Sequence, residues 1–425
     1  GIIGLGEMMN FPGVLNGDPN VHDELKATLE AGKVITGHYS IPETEVGLQA
    51  YAAAGIASCH EGTRAEDALA RLRLGMYAKL REGSAWHDVK ATVKSITEHN
   101  IDARRAVLVT DDTHPNTLLT VGHLNHVVRR AIEEGVNPVQ AIQMATLNAA
   151  ECFGVSHDLG SIAPGRCADI LLVRDLAQFE PEKVMVDGEI VAEQGQLLVD
   201  LPPYPYPKWV QDSVHIKNNL AESDFIIPVP ETSGLVTVRV IEIIEAKVGT
   251  LSCTAQVKVR EGNLYADPAQ DLAKVASIER HGGAGTMGLG YVRGFGFESG
   301  AVASTVGHDS HNLLVVGTNE ADMAVAGNAL VACGGGMAAV KNGTVLALLP
   351  LPIAGLMSPE PVEKVDQQVR ALEAAFKELG CKLISPFMTM ALLPLAVLPE
   401  LRITNRGLVD TVNFRLVDTV LTPTK

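Results

Sequence analysis

The feature that most constrains this chain is a pattern in its first 150 residues. Short β-forming runs alternate with helix-periodic stretches, and the runs lead into titratable side chains. Residues 33–37 (KVITG) run into His38, residues 55–58 (GIAS) lead to Cys59 and His60, and residues 105–110 (RAVLVT) run straight into Asp111 and Asp112. A further strand is expected at 76–81, and helices at 64–74, at 119–134 and from Asn137-Pro138 to Ala150. Strands separated by helices predict a parallel α/β sheet. Parallel strands all end on the same edge, so residues far apart in sequence are delivered to one rim.

After residue 158 the pattern changes to short strands punctuated by glycine, GSIAPGRCADILLV and KVMVDGEIVAEQG, which predicts a small β-sandwich or meander. The stretch LPPYPYPKW at 201–209 reads as a linker. Beyond it a second α/β unit is expected, with β-rich runs at 235–245, 313–317 and 337–340 and a helix at 362–379. At 425 residues the chain exceeds what one core ordinarily holds. The expected division is 1–157, 158–200 and 201–425.

Charge narrows the partners. The net charge is −16, which argues against nucleic acid and against an anionic membrane surface. The longest apolar stretch, 387–399, falls short of the roughly 18 residues a span needs and is broken by Pro394. Six scattered cysteines with no C-x-x-C pair exclude a zinc ribbon and a disulfide scaffold, and predict a reducing, cytoplasmic setting. The chain does not begin with Met and has no basic leader, so a fragment or processed product is expected.

Glu7 in GLGEMMN, His38 in ITGHYS, His60 in ASCHEG and Asp111 in LVTDDTHP carry the chemical argument. Singly each is weak: a histidine after a strand is more often structural, and an aspartate there often caps a helix. Four in strand-end register predict a site for Zn, Fe or Mn, which accept imidazole and carboxylate alike.

These residues and their surroundings resemble the amidohydrolase superfamily and, within it, the bacterial adenine deaminases. GLGEMMNFPGV, AYAAAGIASCHE, RLRLGMYAKLREGS, LVTDDTHP and AIQMATLNAAECFG are similar to the barrel half of that family. IERHGGAGTMGLGYVRGFG, ASTVGHDSHNLLVVGTN and LPLPIAGLMS are similar to its additional C-terminal domain. The resemblance implies an α/β fold, a partial TIM-like metal-dependent hydrolase barrel with a small β-sandwich domain and an additional C-terminal α/β domain. It implies hydrolysis of adenine to hypoxanthine and ammonia in purine salvage, with a divalent, binuclear Mn, Fe or Zn centre and a homo-oligomeric assembly. Glu7 is implied as the bridging carboxylate, His38 and His60 as ligands, and Asp111 as a ligand that also shuttles a proton.

The family's H-x-H pair at the end of the first barrel strand occurs nowhere in this sequence, and only six residues precede Glu7. A barrel of about 250 residues is therefore expected to draw its earlier strands from a segment outside this chain. Two alternatives stand beside the deaminase reading. One is a cyclic amidohydrolase of the hydantoinase type, which would carry a carbamylated lysine where this chain offers Glu7. The other is a non-catalytic fragment.

His308 and His311 in GHDSHN are candidate substrate contacts. They would be metal ligands if their segment were helical, and a plain strand-end turn is equally expected. Glu61 is a candidate substrate contact or support for the metal shell, and is equally expected to be a solvated loop carboxylate. Glu279, Arg280 and His281 precede a glycine-rich turn that is a weak phosphate signal. His123 and His126 are expected to be solvated or capping, Asp112 to cap or to orient, and Cys59 to pack behind its strand.

Overall fold

The computed structural model describes residues 1–84, 86–245 and 247–421. They form two compact units, Gly1–Pro203 and Tyr204–Lys425.

The first unit is built on a five-stranded sheet in sequence order: β1 (Gly4–Met8), β2 (Val34–Gly37), β3 (Ser58–Cys59), β4 (Tyr77–Arg81) and β5 (Ala106–Val109). Every neighbouring pair is parallel. The expected 3.6-residue periodicity gives the helix Ala65–Arg73. The longer helices each break in two. Pro115–Thr120 and Leu124–Glu133 are separated at Gly122, whose φ of 124° lies outside the helical region. Pro138–Ala145 and Leu147–Cys152 are separated at Thr146, whose hydroxyl bonds back to the Ile142 carbonyl at 2.7 Å. Ala78, Leu80, Ala106 and Leu108 pack on these helices through Val127, Val128, Ala131 and Met144.

The glycine-punctuated segment is a single antiparallel meander, β6 (Ile170–Val173), β7 (Pro181–Val186), β8 (Glu189–Glu193) and β9 (Gln196–Leu197). Of the two arrangements expected for it, the described residues form the meander.

The second unit holds a ten-stranded sheet. Its spatial order is Ile227–Pro228, Asn263–Leu264, Thr250–Arg260, Ser233–Ile243, Met287–Arg293, Leu272–Ile278, Leu313–Gly317, Ala301–Ser304, Gly336–Lys341 and Thr344–Pro350. All pairs are antiparallel except Ser233–Ile243 with Met287–Arg293. Both faces are covered. Leu314 and Val316 join a core that includes Leu372 and Phe376 of the helix Val362–Glu378, while Leu313 and Val315 join one that includes Met323 and Leu330 of the helix Glu320–Cys333. Period-2 alternation thus supplies two cores from one continuous apolar run.

Candidate metal centre

Glu7 lies on β1, His38 and His60 directly follow β2 and β3, and Asp111 lies just beyond β5. The parallel sheet brings all four to its C-terminal rim. Oxygen and nitrogen atoms of Glu7, His38 and His60 lie within 4.8 Å of one another, and so do those of a second group, His60, Glu61 and Asp111. His60 Nδ1 is 3.4 Å from Glu7 Oε2, and His38 Nδ1 is 3.7 Å from Glu7 Oε1. The two imidazoles meet edge to face, with centroids 5.1 Å apart. Two imidazoles and carboxylates at this spacing are a donor set that fits a divalent Zn, Fe or Mn ion.

The local sequence fixes these positions. Gly37 has no side chain because a Cβ there would come within 2.5 Å of the Tyr51 hydroxyl and of Ile56. That hydroxyl accepts from the His38 backbone N–H at 2.9 Å and donates to the Met8 carbonyl at 2.5 Å, tying the ends of β1 and β2 together. Burial pushes the Tyr51 phenol far above its ordinary value, so it stays a hydroxyl able to do both. Cys59 packs behind the strand, 1% exposed, and accepts from the Tyr39 N–H. At the other end of the rim, a Cβ on Gly83 would come within 2.5 Å of the Asp112 carbonyl, so the loop after β4 crosses the loop after β5 only with glycine there. Asp111 itself has a φ of 59°, a left-handed conformation uncommon for a side-chain-bearing residue, though aspartate is among the more tolerant.

Glu61 is no solvated loop residue. Its side chain is 9% exposed, with Oε1 3.2 Å from His60 Nε2, 3.8 Å from His38 Nδ1 and 2.6 Å from Arg81 Nη1. Burial alone would raise the Glu61 carboxyl. The hydrogen bond from His60 and the charges of Arg81 and both histidines outweigh it and hold the group far below the usual carboxylate range. Burial would lower His60, but Glu61 and Glu7 outweigh it and raise the imidazolium to about 9.

Arg81, the last residue of β4, is the site residue the sequence reading missed. It occupies the one strand end for which no candidate had been named, and strand-end register alone would have found it. Its partner Asp88 carried no such signal, because it reaches Arg81 only through the fold of the loop between them.

His123 and His126, which follow Asp111, fall outside the centre. His123 is exposed at the head of the helix Leu124–Glu133, and neither it nor His126 belongs to a metal-compatible group among the described residues. In the second unit, residues 308–310 are a turn, so a helical His308/His311 ligand pair is not formed. The two rings lie 5.9 Å apart, and His311 Nδ1 accepts from the Gly307 N–H at 3.1 Å. Arg280, 1% exposed, holds this turn by donating to the His311 carbonyl, and His281 Nε2 bonds the Ser310 carbonyl at 2.6 Å. The glycine-rich turn is not a phosphate cradle: its N–H groups at His281, Gly282 and Ala284 all donate to the Glu279 carboxylate.

A rim of this kind on a parallel α/β sheet is the frame of amidohydrolase-type enzymes, and residues 2–191 match the amidohydrolase family. Residues 247–415 match the adenine deaminase C-terminal domain. The chain is 66% identical to an adenine deaminase of Moorella thermoacetica, over 99% of this chain and 70% of that protein. It is 54% identical to an adenine deaminase of Clostridium botulinum, over 98% of this chain and 69% of that protein. A beta-aspartyl dipeptidase structure from Fervidobacterium islandicum aligns over 47% of this chain and 60% of that one, at 16% identity and a TM-score of 0.36, too distant to bear on the site. The chain belongs to the adenine deaminase family of amidohydrolases. No helix among the described residues is long and apolar enough to cross a membrane.

Proposed function

We infer that the protein catalyses hydrolytic deamination of adenine: water adds at C6, the C–N bond to the amino group breaks, and hypoxanthine and ammonia leave. The observation that carries this reading is the convergence of Glu7, His38, His60 and Asp111 at one rim in a chain of this family.

Glu7, His38 and His60 would hold a divalent ion, with Asp111 completing the set and Glu7 bridging in a binuclear form. When bound, the metal lowers the pKa of water toward neutrality and so makes hydroxide available. Asp111 is the proton carrier: its carboxylate takes the proton that the nucleophile loses and returns it to the departing nitrogen, which must leave as ammonia because the amide anion is too basic. Glu61, held ionised against Arg81, is an acceptor for an N–H on the purine edge. His60 must shed its proton before it can ligate. His308 and His311 are proposed as substrate contacts.

Six free cysteines support a reducing, cytoplasmic location, and a homo-oligomer is the assembly proposed for it. Elemental analysis beside an assay of ammonia and hypoxanthine tests the reading. Equimolar release from adenine is expected, abolished by a chelator and restored by Mn, Fe or Zn. Stoichiometric metal without ammonia release would leave a metal-binding, non-deaminating protein.

A further inference from the structure

Arg81 is a heavily committed buried charge at the rim of the first unit. Its side chain is 4% exposed and is paired with three carboxylates. One nitrogen, Nη1, donates to both Glu61 Oε1 at 2.6 Å and Asp111 Oδ2 at 2.8 Å. Nε donates to Asp88 Oδ2 at 2.7 Å. Asp88 is itself fixed, because its N–H bonds the Arg81 carbonyl at 3.2 Å and the loop between them is closed by a bridge from Glu82 to His87. The guanidinium is therefore anchored at its Nε edge and presents its Nη1 to two carboxylates that come from the strand ends on either side of β4. The loop after β5 is locked in turn: Ser84 N–H bonds the Asp112 carbonyl at 3.0 Å, and the Ser84 hydroxyl accepts from the His114 N–H at 2.7 Å.

We propose that Arg81 is a positioning residue of the deamination reaction: from its anchor on Asp88 it fixes the orientation of Glu61 and Asp111 and allows these two carboxylates to lie together at the rim. Three acids packed within reach of each other repel unless a cation stands between them. A planar guanidinium meets two oxygens at fixed directions, which an ammonium cannot do. A proton carrier whose carboxylate rotates freely spends little time aligned with the reacting atoms, and a displacement of about 1 Å costs on the order of 100-fold in rate. The inference rests on the reading of Glu61 and Asp111 as members of the centre.

The test uses the metal-loaded protein and four substitutions: Arg81→Met, Arg81→Lys, Asp111→Asn and Glu61→Gln. Arg81→Met is expected to lower kcat by about 100-fold with KM and metal content little changed, and Arg81→Lys to fall between it and the parent. Arg81→Met combined with Asp111→Asn is expected to be faster than the product of the two single losses, because part of the effect of Arg81 acts through Asp111. A purely structural role would lower Tm without that non-additivity. A second arm is independent of turnover. Glu61→Gln should lower Tm clearly in the parent and less in the Arg81→Met background, where the arginine partner of that carboxylate is already gone. Parent-like kcat in Arg81→Met, a multiplicative double variant, or an equal Glu61→Gln effect on Tm in both backgrounds would each overturn the proposal. If the parent itself releases no ammonia, the deaminase reading fails, and the Tm arm alone decides the pairing.

Discussion

One buried guanidinium in each unit, Arg81 and Arg402, is held in opposite ways. In the first, Arg81 faces side chains, three carboxylates gathered at the rim of a parallel sheet. In the second, Arg402 faces only main chain: it is fully buried and donates to the carbonyls of Val248, Leu392, Leu398 and Pro399. Arg280 does the same with Ser213, Ala354 and His311. A guanidinium on carboxylates sets the charge and direction of groups that can move protons. A guanidinium on carbonyls satisfies loop backbone that would otherwise be buried without donors, and so holds loops in place. The difference separates a charge kept for chemistry from a charge kept for shape.

The largest effect expected from this contrast is on turnover. Asp111→Asn keeps the shape but loses the basic oxygen, and should cost about 10² to 10⁴ in kcat while Tm stays close to the parent. Near-normal kcat would remove Asp111 as the proton carrier and break the contrast at its first term. Arg402→Met should do the reverse. It strands four carbonyls, at roughly 1–3 kcal/mol for each group left unsatisfied, so denaturant unfolding of the second unit should show a loss of about 3 kcal/mol or more. Metal content should be unchanged.

A smaller effect is expected at the turn that Arg280 holds. His308→Ala and His311→Ala should raise KM about 3- to 10-fold, the equivalent of one hydrogen bond, with metal retained. Loss of metal in either variant would make them ligands, and unchanged kinetics would remove them as substrate contacts. The smallest effect is one of pH. The Glu43 carboxylate accepts from the Tyr39 hydroxyl and from the N–H groups of Glu45, Gly47 and Leu48, at the head of the helix Val46–Ala53. These bonds outweigh the upward pull of burial and hold its pKa below the ordinary value. Its stabilisation is therefore complete above the unfolded value, near 4.3, and is lost as pH falls through the lower folded value. Glu43→Gln should flatten the Tm-against-pH curve of the first unit below about pH 5; an unaltered slope would show that this cap is not pH-linked.

Much of the rim was legible because strand periodicity and chain direction are local properties. Runs such as RAVLVT declare both where a parallel strand lies and where it ends, so Asp111 could be placed at an edge before any coordinate was known. The same logic placed Glu7, His38 and His60. The helix breaks at Gly122 and Thr146 were missed because the apolar spacing runs on across both positions. The solvated reading of Glu61 weighed its loop position but not its neighbours.

By itself, then, the sequence determined the parallel α/β character of the first unit, the β-rich character of residues 158–200, and which imidazoles and carboxylates stand at strand ends. These properties arise from side-chain period and local backbone preference, which a single segment carries. Only the tertiary structure decided that Arg81 would sit between Glu61, Asp88 and Asp111, that Tyr51 would tie His38 to Met8, and that Glu279 would fill its own glycine-rich turn. Those partnerships depend on which loops cross once the strands have paired. That choice is made by packing between segments distant in the chain, where no local pattern records it.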